Sequence, residues 1–249
     1  MKTILGVVLM FSAISFSQVQ SGIINYTAEM NLKHKKEFIE GIKEKEDLAM
    51  NIKQQVINHY KNAESDYYEL HFNEDESYYF HDPSLRQDAS YNIGSKAGLD
   101  PYYQNTNSSL IIEDSRIFNF VAHQPLDWMI TNNSKMIGDF KCYKATTTET
   151  LYSRQGHFYN RDIIAWFAPE IPVRFGPKNY SGLPGLVLEV KKKEFTITAT
   201  KINLNPDEKK LKIKRVDKDE KVISQKEMHE RIAEMMKDYD KMMKDYDKR

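Results

Sequence analysis

The chain has 249 residues and 36 Lys and Arg against 36 Asp and Glu, so its charge gives no reason to expect a polyanion or a polycation as partner. Acids and bases interleave along the whole length, which leaves a nucleic-acid surface without support. The single cysteine, Cys142, excludes an internal disulfide, and the length left after a leader suffices for one domain with a sizeable core.

Residues 1–17 read as a secretory signal. Lys2 supplies the charged region, residues 4–14 the apolar core, and Ser15-Phe16-Ser17 a small-x-small cleavage site that leaves Gln18 as the mature N-terminus. The apolar core is too short to span a bilayer, and no later run reaches that length, so no transmembrane segment is expected in the mature chain. No cysteine stands beside the cleavage site to take a lipid. Asn-x-Ser/Thr sequons occur at Asn25, Asn107, Asn132 and Asn179, and matter only in a eukaryotic secretory route. The remainder divides into a single α+β domain over residues 18–216 and an amphipathic helical tail over 217–249.

Ile24, Tyr26, Ala28 and Met30 alternate with Asn25, Thr27 and Glu29, the pattern of a half-buried strand. The period then changes. Phe38, Ile42, Ala49, Ile52 and Val56 recur at helical spacing, predicting one helix, or two broken near Gly41, over residues 33–62. Aromatic-rich strands at 67–72 and 77–80 flank a hairpin turn at 73–76. Residues 83–100 are polar, with Gly94 and Gly98, and read as a loop. Short strands are predicted at 109–112, 116–122, 128–131 and 140–148; in the last, Phe140 and Cys142 alternate with Tyr143 and Ala145. Residues 163–168 are apolar on both faces and predict a central strand.

A long irregular passage follows, marked by Pro169, Pro172, Gly176 and Pro177. It ends in Gly182-Leu183-Pro184-Gly185, where the backbone must turn or pass close to something. That is first a structural turn, and also a place where a long loop can meet a ligand. Leu186 to Val190 reads as a buried strand, with Leu186 and Leu188 on one face, Val187 on the other, and all three buried. In the strand at 195–204 the apolar phase switches from Phe195, Ile197 and Ala199 to Ile202 and Leu204, predicting a bulge near Thr200. Residues 211–216 read as an edge strand whose lysines discourage edge-to-edge pairing. In the tail, Met235-Met236-Lys-Asp-Tyr-Asp-Lys repeats at once from Met242. Met228, Ile232, Met235, Tyr239, Met242 and Tyr246 form one stripe, as in a coiled-coil-like helix.

Gly182 to Glu189 resembles the signature of the GLPGLI family, with Val187 in the place of the final isoleucine. The upstream words fit as well: Trp128, residues 138–145 (GDFKCYKA), Ala165-Trp166-Phe167, Glu170-Ile171-Pro172 and Gly176-Pro177. The resemblance covers about residues 22–204. It implies an exported protein of the Gram-negative envelope, periplasmic or otherwise held there, and carries over no catalytic residue.

Chemistry-bearing residues give no constellation. The histidines, His34, His59, His71, His81, His123, His157 and His229, show no tight metal spacing. His71 and His81 flank one hairpin and could face each other, but single exposed histidines explain them more simply. Met228-His229 beside the tail methionines has the softness Cu(I) prefers, yet a methionine stripe at helical spacing is ordinarily packing. Cys142 reads as a buried small hydrophobe rather than a nucleophile. Glu74, Asp75 and Glu76 sit in a turn and need no acid–base role. The paired tyrosines Tyr67/Tyr68, Tyr78/Tyr79 and Tyr102/Tyr103 offer surface for binding more than for catalysis.

The expected architecture is a curved, mainly antiparallel sheet, half-barrel-like, with the 33–62 helical segment over one face. Its outline looks like the half-barrels of periplasmic lipoprotein carriers. The expected function is non-enzymatic binding of an apolar or lipid-like ligand, with no cofactor and no metal. The alternative is an interaction module serving an outer-membrane transport or receptor system through its C-terminal helix. The residues singled out for a ligand or partner are Trp166, Pro172, Gly182, Leu183, Pro184 and Gly185.

Overall fold

The structure is a computed structural model that describes residues 19–85, 93–153 and 156–246. The expected secretory signal, residues 1–17, lies outside the described residues.

In chain order come β1 (Gly22–Met30), α1 (Leu32–Glu44), α2 (Met50–Lys61), β2 (Asp66–Phe72), β3 (Glu76–His81), β4 (Tyr102–Asn105), β5 (Leu110–Ser115) and β6 (Asn119–His123). Then follow β7 (Met129–Ile137), β8 (Phe140–Tyr152), β9 (Phe158–Ala168), β10 (Leu186–Lys191), β11 (Phe195–Leu204), β12 (Val222–Ser224) and α3 (Gln225–Tyr246). Among the described residues the twelve strands form one sheet, ordered β12-β6-β5-β4-β3-β2-β1-β11-β10-β9-β8-β7. Its pairings are antiparallel except β12 on β6. This is the mainly antiparallel α+β sheet that the strand patterns predict, open and curled rather than closed into a barrel.

Bulges supply curvature, because an extra residue on one strand bends and twists it. Asn25 pairs with Lys201 and Tyr26 with Ala199, so Thr200 is the extra residue, where the phase switch predicts it. Its Oγ1 donates to Asn25 O at 3.2 Å. A second bulge sets Leu188 between the Val187–Phe167 and Glu189–Trp166 pairs.

Several expectations give way. The helical segment is two helices, the second of the two readings, with the break after Glu44; Gly41 itself lies exposed inside α1. Between Ile42 and Leu48 no apolar residue offers a face to bury, and the chain turns extended at Lys45. α2 buries Ile57 and Tyr60, leaving Ile52 exposed. The two helices pack on each other through Phe38 and Tyr60, whose rings stack at 3.7 Å. β4 was not expected. The strand predicted from 116 starts at Asn119, because residues 116–118 form the turn from β5 to β6, with the N–H groups of Ile117 and Phe118 donating to Ser115 Oγ. Residues 211–216 form no edge strand. β11 is central and β12 lies beyond β6, so this segment must cross the sheet. It does so through Lys212 N on His71 Nδ1 (2.9 Å), Arg215 on Glu76 and Lys214 on Asp114 (3.0 Å), touching β2, β3 and β5 in passing. Register also separates the two hairpin histidines: His81 pairs with Tyr68, and His71 with Tyr78. His71 and His123 are buried rather than exposed. The tail begins as a strand, β12, before it becomes α3.

The core has two parts, one on each side of β10. Leu186 and Leu188 join Ile24, Tyr26, Leu70, Phe72, Cys142 and Phe175; Val187 and Val190 join Ala165, Phe167, Tyr180 and Leu183. Leu186, Val187 and Leu188 are each fully buried. The cover over β10 therefore comes mainly from the passage between β9 and β10, with the helix pair adding Ile42, Ile57 and Tyr60 to the buried set.

Candidate ligand-binding site

β9 ends at Ala168 and the chain re-enters the sheet at Leu186. Residues 169–185 lack helix and strand, yet Ile171, Val173, Phe175, Tyr180 and Leu183 are buried. Buried irregular backbone must find hydrogen-bond partners, and it finds them in β10 and in itself. Leu186 N donates to Ile171 O (3.0 Å), Val187 N to Phe175 O (3.0 Å), and Gly182 N to Arg174 O (2.9 Å). Distant segments clamp the passage from the other side. Gln104 Nε2 donates to Lys178 O at 2.5 Å, Trp128 Nε1 to Ser181 O at 2.8 Å and Lys178 Nζ to Ala97 O at 2.7 Å. Phe175 meets Phe72 of β2, and Tyr26 OH of β1 donates to Val187 O at 2.7 Å. The loop thus reaches from β9 and β10 across β1 to β2 and β4, and fills the hollow of the curl.

The glycines make this path possible. Gly182 has φ +91°, a left-handed conformation that side chains strain. A Cβ on Gly185 would stand 2.4 Å from Ala168 O. The turn reading of this stretch is what the geometry bears out.

The structure gathers only part of the expected binding set. Leu183 is buried against Tyr180 and Phe167, Gly185 is buried, and Pro172 and Pro184 are exposed. Trp166 packs on the opposite side of β9 from Phe167, with Lys135 Nζ 4.6 Å from its ring centre and 2.7 Å from Glu189. It does not meet Gly182. Gly182 does line a groove of about 300 Å³ between the loop and β4–β5, walled by Leu110, Ile111, Pro125, Gln104, Arg174 and Ser181. Those residues carry no signal in the sequence, since what joins them is sheet order rather than spacing.

Two larger clefts lie elsewhere; the first is mainly polar, and the second also has Met30 and Leu32 in its wall. One, of about 660 Å³, is lined by Asn73, Asn105, Asn205, Glu76 and Arg215 among others. Arg215 there holds the Glu76 carboxyl down at about 2, helped by the Tyr103 hydroxyl. The other, of about 810 Å³, lies between the start of α1 and the β10–β11 turn, beside Lys33, Glu37 and Lys193.

Two little-exposed acids have basic partners. Glu149 holds Lys192 at 2.6 Å, and Glu113 holds His123 at 2.7 Å. Burial pushes the Lys178 ammonium down against the pull of Glu113. Burial also pushes the Cys142 thiol up to about 11. His229 packs against the paired rings of Tyr152 and Phe158, and burial lowers its pKa. Among the described residues no group of three or more His, Cys, Asp or Glu side chains is placed to hold a metal ion. No helix among them is long and apolar enough to cross a membrane.

A family model described as a protein of unknown function (Porph_ging) matches residues 155–189, which include all six expected binding residues. No curated protein matches the chain. Among solved structures it is similar to PNGF-II in a C2 crystal form, with TM-score 0.47 at 12% identity over 87% of this chain and 33% of that one. The P21 form of PNGF-II gives TM-score 0.44 at 13% identity over 86% and 34%. LprF from Mycobacterium bovis gives TM-score 0.30 at 9% identity over 76% of this chain and 87% of that one. The chain spans about a third of the length of the PNGF-II chains.

Proposed function

We infer that this is an exported, non-enzymatic envelope protein of the GLPGLI type it resembles, and that it binds a small apolar or lipid-like ligand. The observation that carries the reading is the groove beside Gly182. There Gly182 of the signature stretch borders a groove, and Leu110, Ile111 and Pro125 give it an apolar wall. Its volume of about 300 Å³ lies at the small end of the usual ~300–1,000 Å³ range of ligand sites. Since the loop fills the hollow of the sheet, the ligand belongs at the rim and is small.

A second reading, an interaction module docking through α3, has its own support. The first turns of α3 lie against the domain, whereas Met235 and Tyr239 farther along are 48% and 51% exposed. Native mass spectrometry of the protein purified from its own envelope separates the two. A bound molecule of low mass that is lost in Leu110→Arg but kept in Tyr239→Lys supports the groove. Recovery only as a complex with another protein, lost in Tyr239→Lys and kept in Leu110→Arg, supports docking and overturns the first reading. Intact mass in the same experiment checks that export removes residues 1–17; an uncleaved chain in the membrane fraction overturns that expectation.

A further inference from the structure

We propose that the groove beside Gly182 takes a short amphiphile with an anionic head, and that Arg174 holds the head. The proposal rests on the groove being the ligand site, as inferred above. Arg174 is exposed at the groove wall, and its Nη2 donates to Gly182 O at 2.8 Å. That bond ties the guanidinium to the turn and leaves most of its N–H groups free. Among the described residues no carboxylate pairs with it.

The groove wall supplies no carboxylate either. Gln104, Asn105 and Ser181 are neutral, and Leu110, Ile111 and Pro125 are apolar. The contrast is the 660 Å³ cleft, where Arg215 stands among Glu74, Asp75, Glu76 and Glu208. An unpaired guanidinium at the end of an apolar wall complements a carboxylate or phosphate carried on an alkyl chain. Hydrogen bonds to a charged acceptor are the strong ones, and a guanidinium matches a carboxylate with two parallel donors. The volume of about 300 Å³, at roughly 30 Å³ per water-sized group, holds about ten heavy atoms. Octanoate is a molecule of that size and chemistry, and 1-octanol is its uncharged counterpart.

The test is titration of octanoate and of 1-octanol into the mature chain at low salt, read by amide chemical shifts and calorimetry. Octanoate is expected to bind about tenfold more tightly than octanol, with shifts centred on Leu110, Ile111 and Gly182. Arg174→Gln should remove the preference, and Arg174→Lys should keep most of it. Equal binding of the two ligands overturns the anionic head and leaves the groove reading standing. Binding of neither, or shifts confined to other regions, overturns both. A preference unchanged in folded Arg174→Gln overturns the role of Arg174. If that variant melts below the working temperature, the ligand pair on the unmodified chain and on Arg174→Lys decides.

Discussion

Cys142 shows how far a single residue could be read from its neighbours. Alternation along its strand predicts a packed side chain, and it is fully buried with Ile137 and Leu188 in the same cluster. With its thiol pushed up to about 11 by burial, it stays protonated and enclosed at neutral pH. Cys142→Ala should cost of order 1 kcal/mol of stability, and Cys142→Ser more, since a hydroxyl is then buried in an apolar site. A thiol reagent should label the native protein only at the rate of unfolding; fast labelling would contradict the packing role. Glu76 was not legible in the same way. The sequence places it in a turn with Glu74 and Asp75, whereas Asn73 forms the turn through its own Oδ1 and Glu76 opens β3. Its partner Arg215 lies far along the chain and reaches it because the 205–221 crossing passes over β3. The Glu76 carboxyl is lowered from 4.5 to about 2 in the folded state. Its stabilising effect is therefore fully present above pH ~4.5 and is lost as pH falls from there towards 2. The thermal midpoint of Glu76→Gln should lie below that of the parent at pH 7, and the gap should close across that acid window. A gap that persists at pH 2 would show that the pair is not its source.

At the scale of elements, periodicity found what periodicity can find. Strands with one buried face, the hairpin at 73–76 and the Thr200 bulge all announce themselves in the alternation of side chains. β4 does not, being four residues long with three of them buried, so nothing alternates. The loop at 169–185 was legible as irregular but not as core. Its burial depends on hydrogen bonds to Gln104 and Trp128, partners no local pattern contains. Its glycines are where that architecture can be broken. Gly182→Val meets open space but must hold φ +91°, and Gly185→Val meets the Ala168 carbonyl at 2.4 Å. Each should destabilise by about 1–3 kcal/mol, the Gly185 variant more. Chemical denaturation of the two variants measures this. Full stability in both, with ligand binding lost, would make the stretch a binding motif rather than a turn.

For the whole molecule, the decisive fact is that a curl brings together elements that the strand order keeps apart. β12 and β6 stand at one end of the order and β9, β8 and β7 at the other. α3 starts directly from β12, and its His229 packs against Tyr152 at the end of β8 and Phe158 at the start of β9, with ring centres 6.0 and 5.6 Å away. The helix is thus a strap across the open side of the curl. The sequence showed its apolar stripe but not its use, because the stripe serves two surfaces. Its first turns hold the domain, whereas Met235 and Tyr239 lie exposed. Elements tied at both ends share their local stability, and an opening at one end is felt at the other. His229→Ala, or removal of the chain from Gln225 onward, should therefore speed amide exchange at two places at once: along β6 and β12, and at the tip of the β8–β9 hairpin. β1, β10 and β11, in the middle of the sheet, should keep their protection. Faster exchange along β6 and β12 alone would mean that α3 anchors only the strand it grows from. Unchanged exchange at both would mean that the curl holds its shape through the 169–185 loop without any strap.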